Sequence, residues 1–152
     1  MRCNSLENPD IMTFMLNFTV YGEPVPKARA RHRFTGKFVQ SYTPKKTKDY
    51  ESEVAMMAKA AMGSSPPLET PVAVHIYVTF AVPPSYSKKR TEACLSGEAH
   101  IKKPDLDNCV KSVTDGMNGI VYKDDSQIVC IHAKKVWGKV GMVEIMVKEE
   151  LQ

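Results

Sequence analysis

From residue 72 to residue 82 every even position is apolar. Val72, Val74, Ile76, Val78, Phe80 and Val82 alternate with Ala73, His75, Tyr77, Thr79 and Ala81. A helix repeats its apolar positions every three or four residues, so a period of two specifies a strand with one buried face. Pro83-Pro84 stops it. A second alternation, Phe14, Leu16, Phe18 and Val20 against Asn17, Thr19 and Tyr21, predicts another strand of the same kind. An apolar sheet face needs a cover, and two helical patterns supply one. Tyr50, Val54, Met57 and Ala61 recur at i, i+4, i+7 and i+11, behind Thr43 as N-cap and Pro44 as first helical residue, and the helix ends near Gly63. A second helix starts at Asp105, places Leu106, Val110, Val113 and Met117 on one stripe, and closes at Asn118-Gly119.

Ser85 to Leu95 reads as a short cationic helix carrying Lys88, Lys89 and Arg90. Residues 127 to 137 and 140 to 148 read as a hairpin turning at Gly138-Lys139. The order β-α-β-(short α)-α-β-β predicts an α+β domain in which a small mixed sheet of about four strands packs against two long helices. Residues 1–11 have no periodicity and read as a loose leader, leaving residues 12–152 as the domain. At 152 residues folding buries roughly 69% of the extended chain's surface, enough for a core without disulfides or structural metal. Cys3, Cys94, Cys109 and Cys130 form no CxxC and no zinc-finger spacing, so they are expected to be structural thiols. His100 and His132 are expected to be structural or solvent-exposed, and Trp137 core or interface. The N-terminus has no apolar run of signal-peptide length, and no membrane span is written in the chain. A cytoplasmic location follows as the expectation.

Charge is distributed unevenly. Lys27, Arg29, Arg31, Arg33, Lys37, Lys45, Lys46 and Lys48 fall within residues 27–48 without one Asp or Glu, whereas the whole chain carries only +4. The remainder is therefore net acidic. Phe34, Phe38 and Tyr42 are interleaved with the cations, and Gly22, Pro24, Pro26 and Gly36 mark the stretch as extended or looped. A solvated loop can have this composition, but cations mixed with aromatics also suit a phosphate backbone with exposed bases nearby. Lys27, Arg29, Arg31, Arg33, Lys37, Lys45 and Lys46 are the candidate DNA-binding residues.

The acids concentrate elsewhere. Asp105, Asp107, Asp115, Asp124 and Asp125 are five of 17 acids and lie within 21 residues. Each has a structural explanation: Asp105 as a helix cap, Asp107 in the first turn, Asp124-Asp125-Ser126 as turn chemistry. Together they suggest convergence, since a helix starting at Asp105 and a strand starting near Gln127 can bring Asp105, Asp107 and Asp125 to one end of the molecule. Two such charges about 4 Å apart repel by roughly 4 kcal/mol at an effective dielectric near 20, so a counter-charge is required. Oxygen ligands without His or Cys favour Mg²⁺, with Mn²⁺ as a substitute, over zinc. Lys111 lies four residues from both Asp107 and Asp115; it forms either a surface charge ladder or a cation beside a scissile phosphate.

The run Lys103-Pro104-Asp105-Leu106-Asp107-Asn108-x-x-Lys111, followed by Asp115-Gly116-Met117-Asn118-Gly119-Ile120-Val121-Tyr122-x-Asp124-Asp125-Ser126-Gln127-Ile128, resembles the RusA family of Holliday junction resolvases. Gly22-x-Pro24-x-Pro26-Lys27-x-Arg29 and Pro84-Ser85-x-Ser87-Lys88-Lys89 resemble it too, although Ala30 stands where a proline is common. The resemblance covers residues 14 to 148. It implies a homodimeric, Mg²⁺-dependent endonuclease that resolves four-way DNA junctions by paired nicks in recombination and repair, without a nucleotide cofactor, in a bacterial cell and often phage- or prophage-encoded. Asp105, Asp107 and Asp125 match the catalytic, metal-binding acids of that family and Lys111 its essential lysine, while Asp124 matches a neighbouring acid. A non-catalytic junction-binding module and a nuclease for other branched DNA remain as alternatives.

Overall fold

The strand with the strongest alternation takes the most buried place. In the computed structural model, which describes residues 14–150, β4 (Val72–Ala81) lies inside a four-stranded sheet of order β1-β6-β4-β5. Its neighbours are β6 (Met142–Glu149), antiparallel, and β5 (Ile128–Gly138), parallel. β1 (Met15–Tyr21) closes the far edge against β6. The even residues of β4 share one face with Leu16, Phe18 and Val20 of β1 and Val143, Ile145 and Val147 of β6, and all of these are buried.

Helices α1 (Lys45–Met62) and α3 (Leu106–Met117) cover that face; Val54, Ala58, Val113 and Met117 join the same core. The chain is thus an α+β domain, as the sequence predicts. A shorter α2 (Lys88–Leu95) starts at Ser87, whose hydroxyl accepts the Arg90 N–H, and packs near β5. The leader at residues 1–11, with Cys3, lies outside the described residues. Cys94 and Cys109 are buried thiols, and burial pushes the Cys109 thiol up to about 11. Trp137 packs against the core and stacks on the buried His100 at 3.7 Å between ring centroids, while His132 is exposed. Among the described residues no helix is long and apolar enough to cross a membrane.

Three details differ from the sequence reading. β5 and β6 are no hairpin, because β4 lies between them. Lys139–Gly141 step across the end of β4, a gap of two strand spacings, roughly 9.5 Å. The Gly138 carbonyl accepts the Val82 N–H there (3.0 Å), and a Cβ on Gly138 would lie 2.4 Å from Thr79 Cγ2. The arrangement buries Val143, Ile145 and Val147 at the centre and leaves the cationic β5 at the edge. Second, the basic stretch contains a two-stranded ribbon of β2 (Arg31–Phe34) and β3 (Val39–Tyr42). Third, α1 begins after Pro44 and buries Thr47, Tyr50, Val54, Ala58 and Met62; Ala61 is exposed, since a stripe on a sheet follows the 3.6-residue repeat through Ala58 to Met62.

Candidate active site

The two acidic segments are held by different means. Asp105 occupies the N-cap of α3 but makes no side-chain capping bond; it pairs instead with Lys103 at 2.8 Å, which lowers its carboxyl below the usual range. The preceding loop is pinned from β5, where the Lys135 ammonium donates to the carbonyls of Lys102 (2.7 Å) and Pro104 (2.8 Å). Lys135 interrupts the apolar parity of Ala133 and Trp137, and that break was the sequence signal for it. In the other segment, Asp124 is a structural residue. Its carboxylate accepts the Ser126 N–H, and its own N–H donates to Gln127 Oε1, a capping box that leaves Asp125 turned elsewhere. Gln127 Nε2 then donates to the carbonyls of Leu68 and Thr70, and Tyr122 Oη to the carbonyl of Thr114 (2.7 Å). The turn bearing Asp125 is thereby fixed to α3 and to the approach to β4.

Asp107, Lys111 and Asp125 line one cavity of about 520 Å³, together with Leu106, Val110, Ile128, Ile131 and Ala133. The predicted stripe of α3 therefore divides: Val113 and Met117 enter the core, while Leu106 and Val110 line the cavity. Asp105 is not among the lining residues, and among the described residues no three of His, Cys, Asp and Glu are placed to hold one ion. Two carboxylates in one cavity nevertheless suit Mg²⁺, which takes one or two together with water and substrate phosphate.

Behind the cavity runs a charge relay. Lys111 Nζ lies 3.1 Å from Asp125 and 2.8 Å from Asp115. Lys27 pairs with Asp115 at 2.9 Å and with Glu51. The expected ladder is thus realised on the Asp115 side alone, and Lys27 is half-buried here rather than on the ribbon. Asp115 is marked in the sequence only as the i+4 neighbour of Lys111, and Glu51 is not singled out, because its partner Lys27 is distant along the chain. The bonds from Asp115 and then Asp125 raise the Lys111 pKa above its ordinary value, so this ammonium is charged at neutral pH. Burial alone would raise the Asp115 carboxyl, but its bonds from Lys111 and Lys27 outweigh burial and hold it low. A depressed carboxylate stabilises the fold above its unfolded pKa, about 3.9, and the contribution is lost as pH falls through the folded value. Asp115→Asn is therefore expected to cost on the order of 1 kcal/mol at pH 7. In urea titrations at several pH values, the gap to wild type should close below about pH 4.

Arg29, Arg31, Arg33, Lys37, Lys45 and Lys46 are all exposed. Their segment is rooted beside the cavity: the Lys27 N–H donates to the Asn108 carbonyl (2.8 Å), one residue beyond Asp107.

The family model for endodeoxyribonuclease RusA matches residues 21–148. Uncharacterized protein YqaN of Bacillus subtilis (strain 168) is 36% identical over 137 residues, covering 88% of this chain and 96% of that one. A crossover junction endodeoxyribonuclease, rusA, of Lactococcus phage r1t is 46% identical over 48 residues, 31% of this chain and 37% of the phage protein. With residues 21–148 matched by the family model, the chain belongs to the RusA endodeoxyribonuclease family.

Proposed function

We propose that the protein is a Mg²⁺-dependent endonuclease that resolves four-way DNA junctions by paired phosphodiester hydrolysis. The observation that carries the reading is the cavity in which Asp107, Lys111 and Asp125 meet, with the basic segment anchored one residue from Asp107. Asp107 and Asp125 would hold Mg²⁺ or Mn²⁺, with water and a substrate phosphate completing the set, while Asp105 is paired with Lys103 outside the cavity lining. When bound, the ion supplies charge neutralisation at the phosphate and an acidified water.

The chain's own groups do the rest. Lys111, kept protonated by Asp115 and Asp125, serves as a fixed positive charge for oxygens that become more negative in the transition state, not as a base. Asp115 and Lys27 hold it at that position. The cations of the basic segment offset repulsion between phosphates and the acids. Products would carry 5′-phosphate and 3′-hydroxyl ends.

A homodimer presents two such sites to a substrate of near two-fold symmetry. Support comes from the sheet face opposite the helices, where Tyr77 is 40% exposed and is flanked in register by Glu144 on β6 and Lys134 on β5. A two-fold axis along β4 sets Glu144 of one copy against Lys134 of the partner subunit. Light scattering at micromolar concentration should give twice the chain mass; a monomer mass would remove the dimer.

The decisive assay compares a four-way junction, a flap and plain duplex with Mg²⁺. Preferential, symmetric nicking of the junction is expected, and equal cutting of all three would overturn the specificity. One observation favours a non-catalytic binding module: Asp105 and Asp125 are each already paired with a lysine. Absence of metal-dependent cutting would select that reading. Arg31→Ala with Arg33→Ala should weaken DNA binding and lower the salt slope by about 2 under either.

A further inference from the structure

The ribbon β2–β3 has no role in the fold. All eight of its strand residues are exposed, and the two strands form a separate sheet. Isolated two-stranded ribbons are marginal in water. This one nevertheless carries large apolar side chains at its tip, with Phe34 73%, Phe38 75% and Val39 65% exposed. Such exposure offers nothing to the core and favours aggregation unless a ligand takes it up.

The tip is also organised. The Thr35 N–H and hydroxyl both donate to the Phe38 carbonyl (2.9 and 3.1 Å), and the Lys37 N–H to the Thr35 carbonyl (2.9 Å). Register divides the ribbon by chemistry, since successive residues face opposite sides. Arg31 pairs with Tyr42 and Arg33 with Gln40 on one face; His32 pairs with Ser41 and Phe34 with Val39 on the other. The root is held on both sides, by the Lys27 N–H on the Asn108 carbonyl of α3 and the Ala28 N–H on Thr47 Oγ1 of α1 (3.4 Å).

We propose that the tip of this ribbon wedges between unstacked bases at the branch point of junction DNA, with Phe34 and Phe38 stacking on base faces while Arg31 and Arg33 hold adjoining phosphates. The inference rests on the branched-DNA reading above and deepens it. A run of cations without acids selects a polyanion, and aromatic rings select a polyanion with open π-faces. Continuous duplex keeps those faces stacked, whereas a branch point exposes them. The anchoring of Lys27 at Asn108 roots the ribbon beside the helix that carries Asp107 and Lys111, so one DNA molecule can reach both the tip and the cavity.

The test uses a four-way junction with 2-aminopurine at the branch point and the full chain in EDTA, with saturation established by anisotropy. Wild type should raise the fluorescence about two-fold or more as the base leaves its stack. The Phe34→Ala, Phe38→Ala variant at saturation should not, and its junction affinity should fall roughly ten-fold or more. An undiminished rise in that variant overturns the wedge; if wild type still cuts junctions preferentially, the nuclease reading survives. No binding of junctions by wild type overturns both. An anionic lipid surface also receives cations beside an apolar tip. Loss of binding to phosphatidylglycerol vesicles in the double variant, with unchanged branch-point fluorescence, would assign the tip to membranes and overturn the proposal.

Discussion

Asp107→Asn is expected to abolish junction cleavage while DNA binding is retained or strengthened. The side chain lines the cavity shared by Lys111 and Asp125, and among the described residues it forms no salt bridge. Its charge therefore serves no fold contact that the amide would lose. Removing one negative charge near phosphates eases repulsion. If Asp107 and Asp125 form the proposed ion-binding pair, removing one carboxylate should cost more than the roughly 10–100-fold lost when an outer partner of a metal ligand is changed. Single-turnover cleavage with Mg²⁺ beside a gel-shift titration separates the two effects. Cutting at the wild-type rate would show that Asp107 is not part of the chemistry.

Gly116→Ala is expected to destabilise the fold. Helix propensity alone predicts a gain of about 1 kcal/mol. Packing predicts the reverse. A Cβ at Gly116 would lie 2.7 Å from Val54 Cβ, 2.8 Å from Val54 Cγ1 and 3.0 Å from the Glu51 carbonyl oxygen. Val54 is fully buried, and the Glu51 oxygen is backbone, so neither can yield without α1 and α3 separating. Overpacking of this kind costs roughly 1–3 kcal/mol; set against that gain, the net loss is about 1 kcal/mol and should lower Tm by about 2–4 °C. Because α3 also carries Asp107 and Lys111, junction cleavage should fall with it. An unchanged or raised Tm in calorimetry would refute the close approach of the two helices.

What could be read from the sequence divides along physical lines. β1, β4 and α3 were legible because each buries one face, and burial writes a period into the residues. The ribbon at Arg31–Tyr42 was not, since a strand exposed on both sides has no reason to alternate. β5 and β6 imitated a hairpin because a three-residue link normally joins neighbours; nothing local records that β4 has come between them. The site behaves similarly. Asp107 and Asp125 were singled out by spacing and residue type and Lys111 by the family resemblance, and the fold brings them into one cavity. The pair of Lys111 with Asp115 was legible as an i,i+4 ladder, but the tie from Asp115 to Lys27 and Glu51 was hidden, because those contacts join segments far apart in the chain. Asp105 followed its strongest local opportunity, a lysine two residues away.

The position of β6 between β1 and β4 has a consequence for biosynthesis. While the ribosome is still making residues before 142, β1 has no neighbour to bond and β4 lacks one flank, so the nascent chain cannot close its sheet. Assembly waits for Glu149 to emerge. Such long-range pairing is slow relative to local helix formation. A message cut short upstream of β6 thus yields a fragment for proteolysis, not a folded endonuclease-family domain.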